Sequence, residues 1–377
     1  MSTRRSSADI LRDCKRVVIK IGSALLVDSE TGKVHIPWLR ALSEDVASMR
    51  TAGKEVVLVS SGAIAVGRRH LKFGNGTLRL EELQAAAATG MLRLAHAYEE
   101  ALARHDITLA QVLLTLDDTE NRRRYLNARS TLNTLIKAGA IPLINENDTV
   151  ATDEIRFGDN DRLAARVAAM VSSDALILLS DIDGLYSSDP STSTDARHVP
   201  IVAELTPDID AMAGKAVSTV GTGGMVTKLA AARVAMSAGC RMVITRGHDD
   251  HPIKNLEDGA RCTWFLPPAS PRAARKEWIA GGLKPLGAIV IDAGAEKALG
   301  GGKSLLPAGI SAVAGTFERG DLIVVENSNG VEIARGLSAY SATDIGLIKG
   351  HKTSEIETIL GYRGRDEVIH RDDLVIA

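Results

Sequence analysis

Cysteine and aromatic residues are scarce in this sequence. The three cysteines, Cys14, Cys240 and Cys262, are far apart and form no CxxC pair. This argues against a disulfide framework or a thiolate zinc site, and it favours a reducing compartment, the cytoplasm. An aromatic fraction of 3% is too small for a surface on which the bases of a single strand stack.

An excess of one charge and long apolar runs are also missing. The 45 Lys and Arg residues nearly balance the 47 Asp and Glu residues, giving a formal charge of −2. A general basic field for nucleic acid or membrane is therefore absent. No apolar run is long enough to span a bilayer. Arg12-Asp13 interrupts the first apolar residues before they form a signal-peptide core, so we expect no membrane partner.

The length and the order of segments predict two domains. A chain of 377 residues exceeds the usual size of a single domain. Residues 12–266 alternate apolar strand-like and helix-like segments, which predicts an α/β domain with an open, mainly parallel sheet sandwiched by helices. Residues 267–276 contain three prolines and are interpreted as a linker. Residues 277–370 contain short strand-like runs separated by glycines, which predicts a small, mostly β domain.

The first domain is predicted in more detail from hydrophobic periodicity. The strand-like segments are 16–21, 55–60, 108–114, 141–144, 175–179 and 241–245. The helix-like segments are 37–52, 81–104, 122–138, 161–171 and 224–238.

Two short motifs at strand ends suit an anion. Lys20 is followed by Gly22-Ser23, which can place an ammonium group beside backbone N–H donors for a phosphate. Ser61-Gly62 stands between a strand and a helix, where free N–H groups form an anion site. The plain alternatives are a surface lysine for the first motif and an ordinary helix cap for the second.

The densest polar block follows the strand at 141–144. Nine Asn, Asp or Glu residues occur from Asn145 to Asp161. Most of them lie in two short motifs, 145–148 Asn-Glu-Asn-Asp and 158–161 Gly-Asp-Asn-Asp. Open α/β sheets bind ligands at the carboxyl ends of their strands, and such side chains can grip an ammonium group or orient lysines. A polar turn with Asx caps is the alternative.

Two further blocks suggest a nucleotide. Ser180-Asp181 comes at the end of another strand, and Gly221-Thr-Gly-Gly-Met-Val-Thr-Lys228 opens a helix. The glycines of the 221–228 block allow a close approach of the backbone to phosphate, and Lys228 adds a positive charge. It is neither a Walker A loop nor a dinucleotide fingerprint. His248-Asp-Asp-His251 has no supporting ligands and is interpreted as a polar loop rather than a metal site.

Taken in order, these motifs resemble those of the amino acid kinase family over nearly the whole chain. The succession of 145–148 Asn-Glu-Asn-Asp and 158–161 Gly-Asp-Asn-Asp resembles the members that phosphorylate glutamate. The tail resembles a PUA domain that begins at 305–310 Leu-Leu-Pro-Ala-Gly-Ile. Ala24 departs from the small hydroxyl residue of many relatives, which puts one phosphate hydrogen bond in doubt.

The resemblance implies ATP-dependent phosphorylation of the γ-carboxylate of L-glutamate to L-glutamyl 5-phosphate, the first step of proline biosynthesis, with ATP and Mg²⁺ as cofactors. It implies that Lys20 contacts the transferred phosphoryl group, Lys228 the leaving ADP, and that Asp161 orients both lysines. Glutamate would be bound by Ser61, Asp148 and Asn160. The ATP-binding residues would be Lys20, Ser180, Asp181, Thr222, Gly223, Gly224, Met225, Val226, Thr227 and Lys228. No side chain is expected to ligate a metal, because Mg²⁺ would be held by phosphates and water.

The resemblance also implies partners. These are proline as a feedback inhibitor, glutamate-5-semialdehyde dehydrogenase as the acceptor of the labile product, and further copies of the chain in a homodimer or homotetramer.

Two alternatives remain open at this point. The first is another kinase of the same family, acting on acetylglutamate, aspartate or uridylate, against which the 145–161 block and the tail both argue. The second is an RNA-binding protein, suggested by the PUA-like tail. The net charge and the few aromatic residues argue against RNA binding. The alternative stays open because a balanced net charge is compatible with a basic patch on one part of the surface.

Overall fold

The protein was studied as a computed structural model. It describes residues 6–28, 31–74, 76–150, 160–214, 224–271, 273, 274, 276, 279 and 285–376. The chain divides into two compact units, Met1–Pro271 and Arg272–Ala377. Pro271, Ala273, Ala274 and Lys276, at the division between the units, have helical conformation.

The first unit is built on an eight-stranded sheet with the order β3-β4-β2-β1-β5-β9-β10-β8. Its strands, with the small β6–β7 pair, are β1 Arg16–Ile21, β2 Glu55–Val59, β3 Leu109–Leu114, β4 Ile141–Glu146, β5 Ala175–Ser180, β6 Leu185–Tyr186, β7 His198–Val199, β8 Ile201–Val202, β9 Arg241–Arg246 and β10 Cys262–Phe265. All neighbouring strands from β3 to β9 run parallel, while β10 is antiparallel to β9. The expected open, mainly parallel sheet is thus confirmed.

Helices cover both faces of this sheet. Within the described residues they are α1 Ser7–Arg12, α2 Ser23–Leu26, α3 Ile36–Thr51, α4 Ala63–His70, α5 Leu80–Ala103, α6 Leu116–Glu120, α7 Arg122–Lys137, α8 Asn160–Met170, α9 Pro207–Ala211, α10 Met225–Ser237 and α11 Pro252–Glu257. Buried residues of α1, α3, α4, α5 and α11 pack on one face, hereafter the α5 face. Buried residues of α7, α8 and α10 pack on the other, the α8 face.

The alternation of side chains along each strand decides which face a polar residue serves. Along β1, Val17, Ile19 and Ile21 pack on the α5 face, and Val18 packs on the α8 face. Lys20, two residues after Val18, therefore points toward α8 and α10. Because the carboxyl ends of the parallel strands meet at one edge of the sheet, the polar residues that follow them are neighbours.

The second unit contains a five-stranded sheet with the order β12-β11-β13-β14-β15. Its strands are β11 Gly287–Ile291, β12 Ile310–Gly315, β13 Leu322–Glu326, β14 Glu332–Leu337 and β15 Leu374–Ile376. Its helices within the described residues are α12 Ala293–Gly300, α13 Ala342–Ile348 and α14 Ile356–Leu360. The sequence analysis did not predict these helices, because helices of eight residues or fewer carry little periodic signal.

In the part of the chain that the structure describes, no helix is both long and apolar enough to cross a membrane.

Candidate active site

Lys20, Asp161 and Lys228 meet at the carboxyl edge of the sheet. Lys20 Nζ lies 2.6 Å from Asp161 Oδ1, and Lys228 Nζ lies 3.3 Å from Asp161 Oδ2. Lys20 comes from the end of β1, Asp161 from the first turn of α8, and Lys228 from the first turn of α10. Residues 208 positions apart in the chain therefore hold their ammonium groups against the same carboxylate.

All three side chains are buried, which strengthens their interaction. Lys20 is 8% exposed, Lys228 is 5% exposed and Asp161 is fully buried. Burial acts to raise the pKa of Asp161, but the ammonium groups of Lys20 and Lys228 outweigh it and hold the pKa below its ordinary value. Asp161 is therefore an anion at neutral pH, and its charge fixes the orientation of both lysines.

The start of α10 presents backbone amides beside the lysines. Gly224 is the N-cap and offers no side chain to the first turn, so the amides of Met225 and Val226 have no acceptor within the helix. The Thr227 hydroxyl lies 2.8 Å from the Gly224 carbonyl oxygen and 3.2 Å from Asp161 Oδ2, and it donates to one of them at a time. Such an arrangement is suited to binding phosphate.

Two residues of the expected nucleotide site, Thr222 and Gly223, lie outside the described residues. Gly158 and Asp159 of the polar block before Asn160 also lie outside them.

Ser180 is the last residue of β5, which lies next to β1 in the sheet, and Asp181 follows it. The Ser180 hydroxyl donates a hydrogen bond to Asp181 Oδ1 at 2.8 Å, and the Ser180 carbonyl oxygen accepts one from the Gly247 amide at 2.8 Å. Leu176 and Leu178 of β5 pack on the α8 face, so the Ser180 side chain is on the same side of the sheet as Lys20.

Ser61 and Asn160 are also brought together. Asn160 Nδ2 donates to Ser61 Oγ at 2.8 Å and to the Ser60 carbonyl oxygen at 3.0 Å. Gly62, the N-cap of α4, has φ +97°, which an L-amino acid with a side chain adopts only at a cost. An added Cβ there would lie 3.0 Å from Val27 Cγ2. Glycine thus permits the turn that places Ser61 beside Asn160.

Asp148 lies in the turn after β4 and has a different environment from Asp161. It is 8% exposed, and burial raises its pKa to about 6. The turn is tied to β3 by the Asn147 amide, which donates to the Leu114 carbonyl oxygen at 2.9 Å. Since no cation among the described residues offsets the burial of Asp148, this carboxylate is suited to a cationic group of a ligand.

The sequence analysis missed the part that Ser60 has in this arrangement. Its side chain is 2% exposed, and its carbonyl oxygen is one of the two acceptors of Asn160. The signal was present in β2, where Val56 and Leu58 pack on the α5 face. Ser60 follows with the same alternation and therefore points into the molecule.

Groups of His, Cys, Asp or Glu that could hold a metal ion are absent from the described residues. Both carboxylate oxygens of Asp161 are engaged by lysines.

Comparison with known proteins gives two family matches. The amino acid kinase family matches residues 15–246, and the PUA domain matches residues 287–360. Three similar relatives are named glutamate 5-kinase. The one from Paramagnetospirillum magneticum is 64% identical, with 97% of this chain and 99% of its own length covered. The one from Rhodospirillum rubrum is 59% identical, with 95% of this chain and 96% of its own length covered. The one from Agrobacterium fabrum is 58% identical, with 96% of this chain and 92% of its own length covered.

Proposed function

Because the chain belongs to the amino acid kinase family and, within it, to the glutamate 5-kinases, we propose how its residues carry out the ATP-dependent phosphorylation of L-glutamate. The observation that supports the assignment of roles most strongly is the pair of buried lysines on Asp161, at 2.6 and 3.3 Å. The ammonium groups lie where parallel strands end and where two helices begin, which is where an α/β sheet binds phosphate.

The reaction requires positioning and charge neutralisation more than a base. The γ-carboxylate of glutamate is already ionised at neutral pH. One of its oxygens attacks the γ-phosphorus of ATP, a new O–P bond forms, and the bond to the β,γ-bridging oxygen breaks as ADP leaves. Lys20 neutralises the transferred phosphoryl group and Lys228 the leaving ADP, while Asp161 keeps both ammonium groups in place.

Glutamate is held by Ser61, Asp148 and Asn160. The buried Asp148 carboxylate and the Asn160 side-chain carbonyl oxygen bind the α-ammonium group, and the Ser61 hydroxyl donates to an oxygen atom of the substrate. Support for this comes from the Asn160 bond to Ser61 Oγ at 2.8 Å and from the burial of Asp148 without a cation. A free ammonium group on the substrate then supplies the cation that the described residues do not offer to Asp148.

ATP is bound by Ser180, Asp181 and the segment from Thr222 to Lys228. The first turn of α10 supplies amides for the phosphates, as its glycine N-cap permits. Mg²⁺ would be held by the phosphates of the nucleotide and by water, and it would supply neutralisation of the phosphate charge.

The regulation and assembly of the enzyme are proposed from the family. Proline presents the same α-carboxylate and ammonium groups as glutamate, so it inhibits in competition with glutamate. The product, an acyl phosphate, passes to glutamate-5-semialdehyde dehydrogenase, and the enzyme acts as a homodimer or homotetramer.

A coupled assay of ADP release with glutamate, acetylglutamate, aspartate and UMP tests the substrate. We expect turnover with glutamate and none with acetylglutamate, because acetylation removes the cation that Asp148 binds and adds bulk. Hydroxylamine would trap the acyl phosphate as a hydroxamate. Equal hydroxamate yields from glutamate and acetylglutamate would contradict the assignment.

A further inference from the structure

Trp38 donates a hydrogen bond to a loop beside the proposed nucleotide site. It stands near the start of α3, is 6% exposed and packs on the α5 face of the sheet. Its indole Nε1 donates to the Gly247 carbonyl oxygen at 2.8 Å. A buried indole N–H normally has an acceptor, but this one joins a helix to a loop 209 positions away. The proposed mechanism gives this bond no part.

Gly247 is also bonded to the strand that carries Ser180. Strands β5 and β9 pair in parallel up to Ser180 and Arg246, and the Gly247 amide donates to the Ser180 carbonyl oxygen at 2.8 Å. Gly247 is buried, whereas Arg246 and His248 on either side of it are exposed. The Gly247 backbone is therefore held by β5 through its amide and by α3 through its carbonyl oxygen.

Gly247 is packed too closely to carry a side chain. An added Cβ would lie 2.6 Å from Leu25 Cδ1 and 2.9 Å from Leu179 Cβ. Leu179 directly precedes Ser180 in β5. Leu25 belongs to α2, whose N-cap is Gly22 of the expected phosphate motif, and its amide donates to the Gly22 carbonyl oxygen at 3.2 Å. A displacement of Gly247 would therefore affect two segments of the site, one at the end of β5 and one that follows β1.

We propose that Trp38 is a positioning residue of the nucleotide site: its indole fixes Gly247, which in turn holds the end of β5. Ser180 and Asp181 are thereby kept where they bind ATP. This inference rests on the nucleotide site proposed above. Because Trp38 is on the α5 face and the Ser180 side chain is on the side of Lys20, Trp38 acts through the backbone of the loop. The last hydrogen bond between two strands opens more readily than those within the ladder, and the indole bond stabilises it.

A second residue of α3 holds the far end of the same loop. Asp45, seven positions after Trp38, accepts hydrogen bonds through Oδ2 from the amides of Ile253 and Lys254, at 2.9 and 3.3 Å. Seven positions are about two turns of a helix, so Trp38 and Asp45 lie on one side of α3. Loss of the indole bond therefore releases the Gly247 end of the loop while its other end stays attached, and the protein should still fold.

The substitution Trp38→Phe tests this inference in the full-length enzyme. It keeps an aromatic ring in the core and removes the donor to Gly247. With the end of β5 less firmly held, a smaller fraction of molecules is ready to bind ATP, and the apparent affinity falls by that fraction. We expect the KM for ATP to rise about fivefold, the worth of one ordinary hydrogen bond. The kcat and the KM for glutamate should stay within twofold of wild type.

Gly247→Ala disturbs the same contact from the side of the loop. The new Cβ would push the loop away from Leu179, so the KM for ATP should rise in this variant too. The double variant with Trp38→Phe should raise the KM by less than the product of the two single effects, because both substitutions disturb one contact. Effects that multiply in full would refute a route from Trp38 through Gly247.

Trp264→Phe is a matched control. Trp264 is 3% exposed, packs on the same α5 face and donates through Nε1 to Ser7 Oγ at 3.1 Å. Both tryptophan variants should lower the melting temperature, but Trp264→Phe should leave the KM for ATP unchanged. If Trp38→Phe lowers the melting temperature and likewise leaves the KM for ATP within twofold, Trp38 is only a core residue and the inference is refuted.

Ser180→Ala separates this inference from the proposed nucleotide site. It removes a side chain assigned to ATP and leaves the backbone bond to Gly247 in place. A raised KM for ATP in Ser180→Ala, with an unchanged KM in Trp38→Phe, refutes the role of Trp38 while the site stands. An unchanged KM for ATP in both variants refutes the placement of ATP at Ser180 as well.

Discussion

Replacing Asp148 by Asn would separate the cost of a buried charge from its use in binding. Burial raises the pKa of Asp148 from 3.8 to about 6. A shift of roughly two pKa units means that the ionised carboxylate destabilises the ligand-free fold by about 3 kcal/mol. Asparagine has nearly the same shape and no charge, so Asp148→Asn should remove this cost. The variant is expected to be more stable than the wild type and a poorer enzyme.

The pH dependence of stability follows from the sign of the shift. A carboxyl group whose pKa is higher in the folded than in the unfolded protein binds more protons when folded, so stability falls as pH rises. The loss begins near the unfolded value of 3.8 and is complete above about 6. In thermal melts at pH 8 without ligand, Asp148→Asn should melt above the wild type by about 5–10 °C. This margin should shrink as the pH approaches 4.

The effect on binding has the opposite direction. Without the carboxylate the α-ammonium group of glutamate loses its proposed partner, so the KM for glutamate should rise roughly 10–100-fold, as for a lost charged hydrogen bond. The wild-type KM should itself rise as pH falls through about 6, since Asp148 becomes neutral, and the variant should lack this dependence. Rates of ADP release at varied glutamate concentrations between pH 5.5 and 8 measure the KM of the wild type and of the variant, and the pH dependence of each.

Asp189 provides a control, because its pKa is shifted in the opposite direction from that of Asp148. The exposed Asp189 accepts hydrogen bonds from Ser191, whose side chain and amide lower its pKa, so Asp189→Asn should not raise the melting temperature at pH 8. The buried-charge argument is refuted if Asp148→Asn melts at or below the wild type at pH 8. An unchanged KM for glutamate would refute the role of Asp148 in binding the ammonium group.

Three further predictions concern the lysines, one glycine and the two units. Lys20→Ala and Lys228→Ala should each lower kcat by a factor of about 10²–10³. Lys20→Arg should not restore kcat, because a planar guanidinium does not replace a compact ammonium group. A near-wild-type kcat in a folded alanine variant would remove that lysine from the mechanism. Gly62→Ala should lower stability by about 1–2 kcal/mol, since φ is +97° there, and should raise the KM for glutamate; a melting temperature equal to wild type would contradict the strain. A chain ending at Pro271, the last residue of the first unit, should fold and retain kinase activity, and a folded but inactive truncation would show that the second unit completes the site.

Much of the first unit could be predicted because its signals are local. The strands β1, β2 and β5 are segments of five or six residues made mostly of Val, Ile and Leu, as expected where both faces of a parallel sheet are buried. Antiparallel β10 was not predicted, because four residues of Cys-Thr-Trp-Phe contain no periodicity to distinguish them from a loop. The helices of the second unit were missed for the same reason.

The candidate site likewise contains residues that the sequence predicts and contacts that it does not. The residue types around Lys20 suggest a phosphate site, and those around Asp161 suggest a group that binds an ammonium or orients lysines. The resemblance to a family brought the two into one site. The bond from Asn160 to the Ser60 carbonyl oxygen could not be predicted from the sequence. It joins residues 100 positions apart, whose closeness depends on how α8 packs against the end of β2.

The first turn of α8 connects the two halves of the proposed chemistry. Asn160 bonds to Ser61 Oγ and the Ser60 carbonyl oxygen, on the side proposed for glutamate. The next residue, Asp161, bonds to the two lysines, on the side proposed for the phosphates. Because neighbouring residues of a helix are rigidly related, a shift of α8 would move the acceptor and the phosphoryl group together. In the proposed mechanism, one helical turn therefore keeps the distance between nucleophile and phosphorus, on which the rate depends steeply.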